Sequence, residues 1–241
     1  MRENSVEFEV FGNTALFTDP ASKTGGEKCT FQVPTYEALK GIIKSVYWKP
    51  TIVWVIDRVR IMNPIRTESR GVNTRKLIGG YDISSYTYLT SVRYQVEAHF
   101  EYNMNRPEFE QDRIGGKHLT IVKDALKKGG YRDIYLGTRE CQAYVRPCRF
   151  GSGKGAYDKT GEFELGLMYH GITYADEAVR EDMKGRMTVN FWHPVMKDGV
   201  IEFPRPENTP LHKFLHETDI KQFEQKERDA DGHISEGDKD I

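Results

Sequence analysis

The run Gly115-Gly116-Lys117-His118 holds the parts needed to handle a phosphodiester. Two glycines let a main chain approach a phosphate closely, and a helix that starts here offers unpaired N–H groups at its positive dipole end. Lys117 adds a full cation against the charge that builds on phosphate oxygens. His118 is the natural proton carrier near neutral pH, and the dipole favours its neutral form, the one that acts as a base. Tyr47 brings a phenol able to orient a nucleophile or support a leaving oxygen, provided the fold carries it to the same place. Taken singly, each residue is as well explained by an ordinary helix end. Only their convergence gives the set chemical meaning.

Other candidates are weaker. Gly151-Ser152-Gly153-Lys154-Gly155 resembles a phosphate cradle but lacks Walker spacing, and is read as a connection between two sheets that touches RNA backbone through Gly151 and Gly153. His170 and His193 fall in strand-like sequence and read as structural. Cys29, Cys141 and Cys148 show no Cys-x-x-Cys spacing, so they read as single buried or half-buried thiols in a reducing, cytoplasmic compartment. No His or carboxylate cluster has metal spacing, and neither a metal nor another cofactor is expected.

The elements that must position these groups follow from periodicity. Val6-Glu7-Phe8-Glu9-Val10 alternates with period two and predicts a first strand. Thr35 reads as an N-cap after Pro34, with Leu39, Ile42, Ile43 and Val46 forming one apolar helical stripe. Pro50 ends that helix and leaves Tyr47-Trp48-Lys49 at its C-terminus. A buried strand starts at Thr51 and continues through Arg58 and Arg60, two plausible RNA contacts on one face. Residues 65–85, with Gly71, Gly79 and Gly80, read as a long loop, and residues 92–101 as a long alternating strand. A second helix over roughly 116–128 buries Leu119, Val122 and Leu126 and stops at Gly129-Gly130, and a further strand fits Glu140 to Phe150.

This order, β-α-β-β-α-β, predicts an α+β chain with a ferredoxin-like (RRM-like) domain over residues 1–150. A smaller antiparallel β-rich unit is expected over 151–214, with candidate strands at 162–165, 187–192 and 200–203, and an acidic, disordered tail over 215–241. Right-handed crossovers place the end of helix one near the start of helix two, so Tyr47 should meet Lys117 and His118.

Charge divides along the chain. Residues 40–150 hold 20 Lys and Arg against 11 Asp and Glu, whereas residues 215–241 hold 4 against 9. A basic middle suits a polyanion. No stretch is long and apolar enough to span a membrane, and the N-terminal residues show no secretory signal.

Several ordered stretches carry a family resemblance: Val6-Glu7-Phe8 through Phe17-Thr18-Asp19-Pro20, Val33-Pro34-Thr35-Tyr36-Glu37-Ala38-Leu39-Lys40-Gly41, and Tyr47-Trp48-Lys49-Pro50-Thr51. Arg132-Asp133-Ile134-Tyr135-Leu136-Gly137, Arg139-Glu140-Cys141-Gln142 and Phe150-Gly151-Ser152-Gly153 continue it. In these the chain resembles the CRISPR-associated Cas five proteins of the Dvulg subtype (type I-C) in the RAMP superfamily. The resemblance implies an endoribonuclease that cuts the repeat hairpin of pre-crRNA and stays with the crRNA and the other subunits of the surveillance complex. It also implies that Tyr47, Lys117 and His118 are the cleavage residues, acting without metal by 2′-hydroxyl attack to leave a 2′,3′-cyclic phosphate. The rival expectations are a non-catalytic subunit that caps the 5′ handle of crRNA, and a general nucleic-acid surface that also binds duplex DNA.

Overall fold

A computed structural model of the protein describes residues 4–76 and 78–220. In chain order the elements are β1 Ser5–Ala15, β2 Lys28–Cys29, α1 Tyr36–Val46, β3 Ile52–Ile61, β4 Thr67–Arg75, β5 Tyr81–Tyr102, α2 Lys117–Lys127, β6 Ile134–Tyr135 and β7 Gln142–Pro147. After these come β8 Glu162–Glu164, β9 Met168–Thr173, β10 Arg186–Trp192, β11 Val195–Lys197, β12 Val200–Glu202 and β13 Leu211–Glu217.

Four of these strands lie side by side as β7-β1-β5-β3, with every adjacent pair antiparallel, and α1 and α2 cross between them. That is the ferredoxin-like arrangement expected from the element order. Alternation decides which face is covered. Val6, Phe8 and Val10 of β1, with Tyr94, Val96, Ala98 and Phe100 of β5, are buried beneath the helices. Their neighbours Glu7, Glu9, Arg93 and Gln95 face the other way.

The cap of α1 is as predicted. Thr35 is extended and its hydroxyl accepts the Ala38 N–H at 3.2 Å, and Leu39, Ile42, Ile43 and Val46 are all buried. The helix ends at Val46, and the Tyr47 N–H still donates to the Ile43 carbonyl at 2.9 Å.

Three sequence expectations need correction. Residues 65–85 are not a loop: β4 pairs with the first half of β5 in a long hairpin, which leaves β5 22 residues long. Most residues of β4 are exposed, so the ribbon has no buried face to write a period-two pattern into the sequence. The predicted strands at 162–165 and 200–203 exist, but β8, β11 and β12 extend the large sheet past the β3 edge. The glycine segment 151–155 therefore links two edges of one sheet rather than two sheets. β9, β10 and β13 form a separate three-stranded sheet packed on α1, and β13 runs beyond residue 214, where the acidic tail was expected to begin. The tail from 221 onward lies outside the described residues.

The small sheet is joined to α1 by chemistry as well as packing. His170 stacks on Tyr36 with ring centroids 4.2 Å apart, and Glu37 accepts the Ile172 N–H at 3.2 Å. Buried Lys40 and half-buried Lys44 both bond to Glu177, which fastens the segment after β9 to the same helix. As read from sequence, His170 is structural; burial pushes its imidazole down to about 4 and its Nε2 bonds to the Pro204 carbonyl. His193 is exposed in the turn between β10 and β11. The three cysteines are free thiols, buried or half-buried as expected.

Candidate active site

The crossovers bring the end of α1 to the start of α2. Tyr47 caps α1 in extended conformation, and its carbonyl is pinned by the indole N–H of buried Trp54 at 2.9 Å. Gly116 caps α2 with φ +76°, a left-handed conformation that side chains resist, and space beyond both Gly115 and Gly116 is open. Among the described residues, no main-chain carbonyl accepts the N–H groups of His118 or Leu119. An open groove lined by Asn4, Tyr102, Arg113, Gly115 and Arg205 passes this helix start.

His118 is not where a surface helix end would leave it. It lies on the same face of α2 as Val122, Ala125 and Leu126, with its side chain wholly enclosed. The rings of Tyr47, Phe100 and Tyr102 surround it at centroid distances of 6.0, 6.0 and 6.2 Å. Both ring nitrogens are bonded: Nε2 lies 2.8 Å from the Asp112 carbonyl and Nδ1 2.8 Å from the Tyr47 hydroxyl. A carbonyl only accepts, so Nε2 carries the proton in the neutral ring and Nδ1 presents its lone pair to the phenol. The Tyr47 O–H therefore donates to Nδ1 and keeps its own lone pairs for a further donor.

Asp112, at the end of the 3-10 turn Pro107–Asp112, organises the remaining groups. Its carboxylate receives the Lys117 ammonium and, at 2.6 Å, the Thr51 hydroxyl. These bonds hold its carboxyl below the usual aspartate range. Burial raises the Tyr47 phenol to about 12, with help from the negative charge of Asp112 and from Tyr131. The phenol is thus firmly protonated at neutral pH. Lys117 stays two-fifths exposed and marks the solvent side of the cluster.

Tyr47, Lys117, His118, Gly115 and Gly116 thus gather at one place. The other predicted contacts do not join them. Arg58 bonds to Glu97 at 2.5 Å and covers the Phe150 ring on the opposite face of the sheet. Arg60 is buried; it bonds to Asp158 and to the carbonyls of Ser152 and Gly153, strapping the glycine segment to the sheet. Asp112, Thr51 and Tyr102 went unread in the sequence, where no spacing marks them. Among the described residues, no group of three or more His, Cys, Asp or Glu is placed to hold a metal ion, and no helix is long and apolar enough to cross a membrane.

A family model described as CRISPR-associated protein (Cas_Cas5), of the Cas5d type, matches residues 5–204. The chain is 28% identical over 228 residues to the CRISPR pre-crRNA endoribonuclease Cas5d of Mannheimia succiniciproducens, covering 83% of this chain and 95% of that one. It is 26% identical over 228 residues to the protein of the same name from Thermus thermophilus, covering 86% and 95%. A solved structure described as a CRISPR-associated protein superposes with a TM-score of 0.74 at 31% identity, over 88% of this chain and 98% of the other.

Proposed function

The chain belongs to the CRISPR-associated Cas5 family of the Cas5d type, and from that premise we propose that it is an endoribonuclease that cuts the repeat hairpin of pre-crRNA. In this reading the product crRNA stays bound while the chain sits among the other subunits of a type I-C surveillance complex. The observation that carries it is the 2.8 Å bond from the Tyr47 hydroxyl to His118 Nδ1 at an open, glycine-capped helix start.

The chemistry is internal transesterification. The 2′-oxygen attacks phosphorus and the bond to the 5′-oxygen breaks, leaving a 2′,3′-cyclic phosphate and a free 5′-hydroxyl. The His118 side chain has no exposed surface and Tyr47 keeps 5%, so His118 acts through Tyr47: the phenol accepts the 2′-hydroxyl proton while passing its own to Nδ1. No tyrosinate forms, which suits a phenol whose ionisation is suppressed. Lys117 turns from Asp112 to the phosphate, where its charge and the unpaired N–H groups of α2 stabilise the phosphorane. The leaving 5′-oxygen lies opposite the attacking oxygen and takes its proton from water. Deprotonation of the nucleophile and stabilisation of the phosphorane are thus supplied by side and main chains, water protonates the leaving oxygen, and the reaction as drawn needs no metal.

One observation favours a second reading, a subunit that caps the 5′ handle without cutting: both nitrogens of His118 are already bonded within the protein. Duplex DNA is a further proposed partner, on the basic middle of the chain. The deciding experiment incubates the protein with a repeat hairpin RNA in EDTA, beside the same RNA carrying a 2′-deoxy nucleotide just upstream of the cut. Cutting in EDTA that vanishes with the deoxy substrate is expected. Tight binding without cutting selects the capping subunit.

A further inference from the structure

The sheet face opposite the helices carries a second assembly that the cleavage chemistry does not use. Phe11 of β1 lies directly across from Tyr144 of β7, their ring centroids 5.9 Å apart, and Tyr144 is 57% exposed. The Arg146 guanidinium sits 5.1 Å from the Phe11 centroid. Between the two strands and β5, Glu9 is 1% exposed, and its carboxylate bonds to Arg93 on one side and Arg146 on the other, each at 2.5 Å.

This arrangement has a definite electrostatic outcome. One buried carboxylate orients two guanidinium groups whose side chains remain 42% and 58% exposed, so the surface presents cations beside ring faces while the anion stays hidden. The three-residue cluster of Glu9, Arg93 and Arg146 is itself net positive. A folded protein gains little by holding an exposed Tyr with two solvent-facing arginines. A polyanion whose units also have flat π-faces matches both features at once: rings stack on bases and guanidinium groups meet phosphates. The glycine strap crosses the sheet at Gln95 and Arg60 and leaves this corner uncovered.

We propose that the Phe11–Tyr144–Arg146–Arg93 corner binds single-stranded RNA, by stacking one or two bases on the rings and pairing their phosphates with the arginines. The proposal rests on the reading that the chain handles RNA, but it concerns another part of the strand. Tyr102 at the cleavage end of β5 and Arg93 at this corner are nine residues apart, about 30 Å along the strand and on the other face of the sheet. The corner therefore takes an unpaired flank several nucleotides from the cut.

The test measures binding of a fluorescent ten-residue oligouridylate to the full chain by anisotropy, for the unaltered protein, Tyr144→Ala and Tyr144→Phe. Tyr144 is more than half exposed and its ring meets that of Phe11 at the surface, so both variants should fold. Loss of about ten-fold or more with alanine and near-normal affinity with phenylalanine is the expected pattern. Ultraviolet crosslinks of the same RNA should fall within residues 5–15 or 142–147. Equal affinity for all three proteins, or crosslinks confined to the Lys117 region, overturns the proposal, as does an affinity lost equally in both variants. Retained RNA affinity together with failed assembly of Tyr144→Ala with another protein overturns it too, and assigns the corner to that protein. Oligouridylate contains no hairpin, so failure of cleavage leaves this result standing, and cleavage of a hairpin without flanks should be unchanged in Tyr144→Ala.

Discussion

Tyr47→Phe isolates the proposed relay because it removes one oxygen and keeps the ring. The bond from the Trp54 indole N–H to the Tyr47 main-chain carbonyl survives, and so does the ring packing against His118. The loss falls on Nδ1 of an imidazole with no exposed surface, which keeps its lone pair but loses its donor. An unsatisfied buried group of this kind costs about 1–3 kcal/mol, and for a chain of this size each kcal/mol lowers Tm by roughly 2–4 °C. The variant should stay folded at assay temperature. Its rate should nevertheless fall by about 10²–10⁴, the usual contribution of one acid–base group. The measurement is single-turnover cleavage of an end-labelled repeat hairpin at saturating protein, with affinity read separately. Tyr47→Phe, His118→Ala and the double variant should be similarly slow, since residues that act as one unit are not additive. A phenylalanine variant that cuts at close to the normal rate, beside an inactive His118→Ala, refutes the relay and means that the imidazole reaches the ribose directly.

Two further outcomes follow from charge. Asp112→Asn should slow cutting by mispositioning Lys117 and the carbonyl that fixes His118; its stability difference from the parent should persist above the ordinary aspartate pKa of ~3.9 and disappear as pH falls through the lower folded value, as read by thermal melts across pH. His170, neutral in the fold down to about 4, should cost the protein stability as pH drops from ~6.5, because the unfolded chain binds a proton that the native state refuses; the full effect is about 3 kcal/mol, and His170→Phe should flatten that limb of the melting curve.

Much of this architecture was legible because it is written in burial. The α1 stripe, the alternation of β1 and β5 and the glycine stop after α2 each reflect one face turned inward, and handedness then placed Tyr47 beside Lys117 and His118. The β4 ribbon was illegible because neither of its faces is buried. Of the strands between residues 162 and 202, β8, β10 and β12 were recognised and β9 and β11 were not, and which edge β8 and β12 join depends on partners far away in sequence. His118 was read as a proton carrier at the start of the second helix, while Leu119, Val122 and Leu126 were read as its buried face. The spacing of His118 to Val122, Ala125 and Leu126 marks the buried face, a signal that its chemical appeal outweighed. Asp112 left no trace because its role arises from a 3-10 turn that only the fold brings to the site.

The way β12 closes on β3 bears on how the chain is made. Arg58, Val59 and Arg60 pair with Glu202, Ile201 and Val200, so one edge of the central sheet waits for residues some 140 positions later. At ribosomal rates of roughly 5–20 residues per second, that edge stays unpaired for about seven to thirty seconds after β3 emerges. An exposed strand edge invites pairing with a neighbouring nascent chain. The arginines at its positions 58 and 60 put charge on that edge for the first part of the interval, until Glu97 and then Asp158 are made and take them up. A truncation that stops short of residue 200 should therefore show itself as insolubility rather than as a smaller folded protein.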